Sequence, residues 1–151
     1  MPKIRKAKIS DIKNIHKLLN MSAKQGLVLP RALNDLYEHA RDFFISEDKG
    51  NIIGFCALHL GWNDLGEIKS LVVSEQLRRQ GTGRQLVTKC INEAVELGIK
   101  RVFALTYKPD FFLKLGFREI DKSKLPQKIW GDCMKCPQFP ECNEYAVIKN
   151  L

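Results

Sequence analysis

A short basic segment with two glycines lies between an apolar strand pattern and an amphipathic helix pattern, and its residue types suit phosphate binding. The segment reads Arg78-Arg79-Gln80-Gly81-Thr82-Gly83-Arg84. A turn that opens a helix leaves backbone N–H groups without partners inside the helix, and the helix dipole is positive at that end. Glycine lets an anion approach the backbone closely, and the arginines add positive charge. The spacing therefore predicts a pyrophosphate-binding loop.

The loop differs from the common nucleotide-binding patterns. Gly-x4-Gly-Lys-Ser/Thr is absent, and a Gly-x-Gly-x-x-Gly fingerprint fails because position 86 is Leu86. The pattern that remains is Arg-x-x-Gly-x-Gly between a strand and a helix. It indicates a phosphate-containing ligand other than a simple nucleotide triphosphate or dinucleotide.

The composition indicates one soluble globular domain that spans residues 1–151. Hydrophobic residues make up 44% and charged residues 28% of the chain, which is typical of that class. No apolar run approaches the roughly 20 residues that a membrane-spanning helix needs, and no apolar stretch follows the basic N-terminus as in a signal peptide. We expect a cytoplasmic protein with no membrane partner.

The net charge of +8 favours small anionic ligands over nucleic acid. The positive residues are scattered along the chain and form no basic stripe interleaved with aromatic residues, which is the arrangement that stacks nucleic-acid bases. We expect no nucleic-acid partner. A solvated basic surface accounts for many of these charges.

Two groups of cysteines differ in their sequence surroundings. Cys56 and Cys90 lie in apolar patterns and are predicted to be buried. Cys133, Cys136 and Cys142 lie in an irregular, proline-containing segment at about 123–142 and are the candidate metal ligands. A structural metal site normally has four ligands, and no fourth is visible nearby. Reduced thiols or a redox-labile pair are therefore favoured over a metal, which leaves three alternatives open.

The periodicity of apolar residues predicts alternating strands and helices. Strands are expected over 3–8, 43–46, 52–60, 67–73, 101–107, 117–120 and 144–149. Helices are expected from 10 to 26 with a Ser10-Asp11 cap, over 32–39, over 85–97, and from Pro109 to Gly116. A mixed sheet flanked by helices follows from this order.

Two motifs together resemble the GCN5-related N-acetyltransferase (GNAT) family. The first is the Arg-x-x-Gly-x-Gly loop, and the second, which resembles the family's FYxKLGF segment, is Phe111-Phe112-Leu113-Lys114-Leu115-Gly116-Phe117. The resemblance implies an α/β (α+β) GNAT fold, with a mixed central sheet of about six to seven strands and helices on both faces. It also implies that acetyl-CoA is the co-substrate.

The family resemblance assigns the acetyl-CoA contacts by position. In the family, the strand before the loop splays from its neighbour and the thioester lies in the gap, where backbone N–H groups can stabilise the oxyanion. Leu71, Val72 and Val73 match the segment that pairs with the pantetheine arm. The segment from Leu77 to Arg84 matches the pyrophosphate-binding part.

Acetyl transfer to an amine needs a base, because amino groups are largely protonated at neutral pH. Glu67 opens the strand before the loop and is the candidate general base, acting through water; the alternative is a carboxylate paired with a lysine. Phe112 occupies the position of a tyrosine in many family members and cannot donate a proton. Tyr107, the nearest hydroxyl in the sequence, is therefore the candidate acid, or else an aromatic residue at the rim.

Further segments resemble one branch of the family, the short single-domain N-acetylglutamate synthases of arginine biosynthesis. This resemblance implies direct transfer from acetyl-CoA to the α-amine of glutamate, or of a close amino acid such as glutamine. The quoted segments are Leu29-Pro30-Arg31, Leu36-Tyr37-Glu38, Arg41-Asp42-Phe43-Phe44, Glu67-Ile68-Lys69-Ser70-Leu71-Val72-Val73, Leu105-Thr106-Tyr107 and Leu125-Pro126-Gln127-Lys128-Ile129-Trp130.

Glutamate presents two carboxylates, and arginine can bind a carboxylate through two parallel hydrogen bonds. Arg31, in the loop that covers the acceptor site in this fold, is the first candidate to bind a carboxylate. Lys69 is the second candidate, whereas Lys128 is favoured as a surface cation. The alternatives are a GNAT that acetylates a protein N-terminus, a lysine or a polyamine, and a catalytically silent acyl-CoA binding module. A homodimer is left open.

Overall fold

A computed structural model describes residues 2–75, 81–125 and 144–151 of the chain. Its centre is a mixed seven-stranded sheet with the order β1-β2-β3-β4-β5-β7-β6, in which only β4 and β5 pair in parallel. The strands are β1 (Lys3–Lys6), β2 (Phe43–Asp48), β3 (Asn51–Trp62), β4 (Leu65–Val73), β5 (Arg101–Thr106), β6 (Arg118–Ile120) and β7 (Tyr145–Asn150).

Helices cover both faces of this sheet, as predicted. They are α1 (Ile12–Lys24), α2 (Leu33–Glu38), α3 (Thr82–Glu96) and α4 (Pro109–Leu113). Helices α1 and α2 share a buried apolar cluster with β2 and β3, and α3 and α4 share another on the opposite face. Each cluster removes apolar surface from water, which is the main force that holds helices against a sheet. The α/β (α+β) fold class with a mixed sheet is confirmed.

Helix α1 forms where the apolar spacing predicts it, but its N-terminal contacts differ from the prediction. Ile12, Ile15 and Leu19 are fully buried on one side of the helix. The Asp11 carboxylate accepts hydrogen bonds from the Lys8 backbone N–H (2.7 Å) and the Arg5 guanidinium (2.9 and 3.0 Å). It therefore closes the short 3-10 turn before α1 and gives no side-chain cap to α1 itself.

Helix α3 begins three residues earlier than the sequence pattern predicts. Gly81 has φ +85° and precedes the helix, and the Gln85 N–H donates to the Gly81 carbonyl at 3.0 Å. Gly83 therefore lies in the first turn of the helix. Because glycine has a low helix propensity, the sequence pattern predicts a loop at these residues. Among the described residues, no helix is both long enough and apolar enough to cross a membrane.

Candidate active site

The parallel strands β4 and β5 pair over a short distance and then diverge. The pairs are Leu65–Arg101, Gly66–Val102 and Glu67–Phe103. Beyond these pairs β4 continues beside β3 and β5 continues beside β7. A gap therefore opens in the sheet directly after Glu67, which is the last residue of β4 that pairs with β5.

A bulge in β4 shapes one side of this gap. Ser70 has φ +55°, which is uncommon for a residue other than glycine. Between the pairs Ala57–Lys69 and Phe55–Val72, the chain advances by three residues on β4 but by only two on β3. The extra residue reverses the alternation of side chains, so that Lys69 and Val72 face the same side of the sheet. Such strain persists where the surrounding structure enforces it and is common at functional sites.

Leu71, Val72 and Val73 at the end of β4 line the gap and pack into the two apolar clusters, one on each face of the sheet. Val72 is buried against the α1 side, and Leu71 and Val73 pack against the α3 side. The backbone between them is thus held by apolar contacts on both faces. This is the segment that the family resemblance matches to the pantetheine arm.

The N-terminus of α3 lies close to the sheet next to this segment. The N–H groups of Thr82, Gly83 and Arg84 precede the first helical hydrogen bond and are the donors that a helix leaves for an anion. Gly54 of β3 permits the close approach, since a Cβ there would lie 3.0 Å from the Val72 carbonyl oxygen and 3.3 Å from Leu86 Cδ1. The predicted loop residues Arg78, Arg79 and Gln80 lie outside the described residues.

The two predicted loop glycines have different surroundings. At Gly81 a Cβ would meet nothing within 4 Å, so its positive φ is what favours glycine. At Gly83 a Cβ would lie 3.4 Å from Phe111 Cζ and 3.6 Å from Val73 Cγ2. Gly83 therefore lies against the Phe111 ring, which belongs to the second predicted motif. The structure joins the two motifs at this point.

Arg31 lies at the bulge, on the α1 and α2 side of the sheet. Its Nε donates to Asp35 Oδ2 at 2.7 Å, and its Nη1 donates to Ser70 Oγ at 3.0 Å. The guanidinium carbon lies 5.6 Å from the centre of the Phe43 ring, and the side chain is 10% exposed. Few arginines are this buried without a specific role or partner. The residue predicted to bind a carboxylate is thus fixed beside the gap.

Asp35 is the partner that balances the charge of Arg31. Burial acts to raise the pKa of Asp35, but the hydrogen bond from Arg31 and the charges of Arg31, His39 and Lys69 outweigh it and hold the pKa below its ordinary value. Asp35 therefore stays ionised at neutral pH. The influence of Lys69 on Asp35 shows that both predicted acceptor-binding cations belong to one electrostatic cluster.

Glu67, the predicted base, lies at the start of the gap and on the same side as this cluster. Its ladder partner is His59, and the ladder partner of Lys69 is Ala57, which packs among the apolar residues under α1. Lys69 Nζ lies 4.0 Å from Glu67 Oε1, and the Glu67 side chain is 12% exposed. A partly buried carboxylate next to a loosely held lysine agrees with both of the roles predicted for Glu67.

The two residues considered for the acid role have different environments. Tyr107 directly follows the last residue of β5, on the opposite side of the gap, and is partly exposed. Phe112 is 5% exposed and its ring meets those of Phe111 and Phe117 edge-on. Phe112 thus serves as a core residue, and a role for Tyr107 as the acid stays a prediction.

Sequence analysis missed a pair of histidines beside Glu67. His59 Nδ1 lies 2.8 Å from Asp42 Oδ2, His39 Nδ1 lies 2.9 Å from Asp35 Oδ1, and the ring centres are 4.9 Å apart. One signal was present in the sequence, because Arg31, Asp35 and His39 follow one another at intervals of four residues. The contact between Asp42 and His59 depends on how β2 and β3 pair, so no regular spacing in the sequence indicates it.

The cysteine predictions have different outcomes. Cys56 and Cys90 are fully buried, as predicted, and the adjacent Cys90 thiol together with burial raises the pKa of the Cys56 thiol. Cys133, Cys136 and Cys142, and Lys128 as well, lie outside the described residues. Within residues 2–75, 81–125 and 144–151, no cluster of three or more His, Cys, Asp or Glu side chains could hold a metal ion.

Comparison with known sequences gives matches along most of the chain. The acetyltransferase (GNAT) family matches residues 11–117. An uncharacterized N-acetyltransferase of Chlorobaculum tepidum is 40% identical over 148 residues, which cover 98% of this chain and 96% of the relative. An amino-acid acetyltransferase of Mycobacterium tuberculosis is 32% identical over 134 residues, which cover 87% and 76%.

Comparison with solved structures gives a close match in fold. N-acetylglutamate synthase from Neisseria gonorrhoeae, complexed with coenzyme A and N-acetyl-glutamate, superposes with a TM-score of 0.91 at 31% identity. That match covers 100% of this chain and 35% of the other, so this chain spans about a third of the synthase. A Mycobacterium tuberculosis protein in complex with CoA superposes with a TM-score of 0.85 at 26% identity, and the match covers 99% of both chains.

Proposed function

Because the chain belongs to the GNAT family of acetyltransferases, we propose that it transfers the acetyl group of acetyl-CoA to the α-amine of glutamate, or of a close amino acid such as glutamine. The relatives named as amino-acid acetyltransferases and the similarity to an N-acetylglutamate synthase support this acceptor. The reaction is the first step of arginine biosynthesis. The cytoplasm is the expected location.

One observation carries this proposal: Arg31, Lys69 and Glu67 lie on the same side of the sheet at the point where the gap opens. Glutamate offers two carboxylates and one ammonium group. Two cations beside one carboxylate complement that pattern of charge. Arg31 is pre-organised by Asp35 and Ser70, so that little side-chain freedom is lost when it binds a carboxylate.

On the donor side we assign acetyl-CoA to the gap and to the N-terminus of α3. The backbone of Leu71, Val72 and Val73 pairs with the pantetheine arm and directs N–H groups to the thioester. The pyrophosphate is bound by the segment that comprises Arg78, Arg79, Gln80, Gly81, Thr82, Gly83 and Arg84. Backbone donors aimed at a developing oxyanion are typically worth about 3–4 kcal/mol of transition-state stabilisation.

The reaction then proceeds by direct transfer within a complex of enzyme and both substrates. Glu67 takes a proton from the acceptor ammonium through water, and the free amine attacks the thioester carbonyl. The tetrahedral intermediate collapses as the C–S bond breaks, Tyr107 supplies a proton to the leaving thiolate, and the second proton that the nitrogen loses restores the Tyr107 hydroxyl. Much of the acceleration comes from holding the amine next to the thioester.

Replacement of Arg31 tests the acceptor assignment. We expect Arg31→Ala to raise the KM for glutamate roughly 10- to 100-fold, because hydrogen bonds to a charged group are lost, and to leave the KM for acetyl-CoA within about twofold. Arg31→Lys recovers part of the loss, since lysine keeps the charge without the planar fork. Arg118→Ala, an exposed arginine on β6, is the matched control. An equal rise in both KM values would reject the assignment.

A further inference from the structure

His59 and Asp42 form a hydrogen-bonded pair that the reaction described above does not use. His59 Nδ1 and Asp42 Oδ2 are 2.8 Å apart. A carboxylate accepts and cannot donate when ionised, so His59 Nδ1 carries the proton and donates it. Nε2 is then the basic nitrogen of the ring. A carboxylate that accepts from one ring nitrogen in this way fixes the tautomer and the orientation of the ring.

The pair lies directly beside Glu67. His59 of β3 and Glu67 of β4 are partners in the antiparallel ladder, which places their side chains on the same face. The Cβ atoms of such partners are typically about 5 Å apart. The side chain of Glu67 is 12% exposed and that of His59 is 32% exposed. His59 therefore lies between a sheltered carboxylate and solvent.

The other groups near His59 fix its ring in place. Asp42, which directly precedes β2, is hydrogen-bonded to it, and the centre of the His39 ring at the end of α2 lies 4.9 Å from the centre of the His59 ring. His39 is in turn held by Asp35, and Lys69 lies beyond Glu67 on β4. Arg31 belongs to the same group of charged side chains through its bond to Asp35.

Acetyl transfer to a protonated amine releases one proton in each turnover. Two N–H bonds of the ammonium break, the N–C bond forms, the C–S bond breaks and an S–H bond forms, so that the products are an amide, a free thiol and one proton. If Glu67 takes that proton, it must lose it before the next turnover. A base with little exposure needs a neighbouring group that reaches solvent.

We propose that His59, oriented by Asp42, accepts at Nε2 the proton that Glu67 takes from the acceptor and passes it to solvent. This inference rests on the proposed function, in which Glu67 is the base. His59 acts through Glu67 and is thus a positioning and proton-accepting residue that does not touch the substrate. His59 is thus a third residue with a proposed acid–base role, after Glu67 and Tyr107.

Chemical rescue in weak buffer tests the proposal. We expect His59→Ala to lower kcat at least about tenfold, in the lower part of the range for acid–base groups, with both KM values within about twofold. Added imidazole restores kcat of this variant with saturation and leaves the unmodified enzyme unchanged. Asp42→Asn lowers kcat as well, because an amide can both donate and accept and no longer fixes the tautomer of His59. His16→Ala, on α1, is the control and keeps the full rate.

The outcomes separate the two proposals. A His59→Ala enzyme that matches the unmodified rate in weak buffer, or a loss that imidazole does not restore, overturns the proton route while acetylation of glutamate stands. An unmodified enzyme that acetylates no amine overturns both. CoA binding reports whether each variant folds. If the His59→Ala protein does not bind CoA, His59→Gln replaces it, because glutamine fills more of the space of the imidazole ring.

Discussion

The proposed donor and acceptor sides of the candidate active site are built in different ways. We assign the donor side to the backbone at the end of β4 and in the first turn of α3, which are close to each other in the sequence. The proposed acceptor side consists of side chains from separate parts of the chain, among them Arg31, Lys69 and Glu67. A backbone site appears in the sequence as a contiguous motif, whereas a side-chain cluster appears only once the sheet has paired.

The two proposed sides also differ in how their charges are balanced. The donor side offers N–H groups and a helix dipole, which need no counter-charge. On the acceptor side, Arg31 is already paired with Asp35, and Lys69 lies near Glu67. Binding there depends on a balance of charges, so we expect single substitutions on the acceptor side to have larger effects than substitutions on the donor side.

The largest effect is expected for Glu67→Gln. The amide keeps the size of the side chain but cannot accept a proton, so we expect kcat to fall at least about 100-fold with little change in the KM for acetyl-CoA. Thiol release under steady-state conditions measures it. A rate within about threefold of the unmodified enzyme would assign Glu67 the alternative role of a carboxylate paired with Lys69.

A smaller effect, confined to the donor side, is expected for Gly81→Ala. A residue with a Cβ is destabilised by about 1–2 kcal/mol at this positive φ. We therefore expect Gly81→Ala to raise the KM for acetyl-CoA up to about tenfold and to leave the KM for glutamate unchanged. Gly98→Ala is the matched control, because Gly98 follows the other end of α3, has φ +82° and has open space at its Cβ position. If Gly98→Ala raised the KM equally, loss of stability would be the cause.

The smallest effect on activity is expected for Asp11→Asn, which breaks an arginine–carboxylate pair outside the site. Asp11 accepts hydrogen bonds from Arg5 and from the Lys8 N–H, and the Arg5 bond is the main cause that lowers the pKa of Asp11. We expect the free energy of unfolding to fall by about 2 kcal/mol at pH 7 with unchanged kinetics. Asp35→Asn, its counterpart at Arg31, is instead expected to raise the KM for glutamate.

The pH dependence follows from the sign of the shift. A carboxyl whose folded pKa lies below its unfolded value of about 3.9 stabilises the fold above that pH, and the contribution is lost as the pH falls through the folded pKa. The difference between Asp11→Asn and the unmodified chain should therefore shrink below about pH 4. Urea unfolding at neutral and acidic pH measures it. A difference that stays constant down to pH 2 would contradict the assignment.

Much of the fold was predictable, because its signals are local. The apolar spacing of α1, the turn at Lys49 and Gly50, and the glycine after α3 each lie within a few residues of the element they define. The start of α3 was missed because glycine is a poor helix former. The positive φ of the turn favours glycine at Gly81, and Gly83 lies in the first turn of the helix against the Phe111 ring.

The site was predictable only in part, for a physical reason. Glu67 and Arg31 were identified from resemblance, and the structure brings them to one side of the sheet. The bulge at Ser70 and the pair of His59 and Asp42 depend on strand register, which follows from the packing of whole faces and not from any short motif. The roles of Glu67, Tyr107, Arg31 and Lys69, and the homodimer, stay predictions.

The most direct test is to measure thiol release from acetyl-CoA by the unmodified enzyme with a panel of free amino acids, polyamines and peptide N-termini. The account predicts turnover with glutamate, or with glutamine, that rises with pH as the base loses its proton, and little or no turnover with cationic amines. Turnover with polyamines or peptides and none with any free amino acid would contradict it. Tight CoA binding without turnover on any amine would do the same, and would favour a silent acyl-CoA binding module.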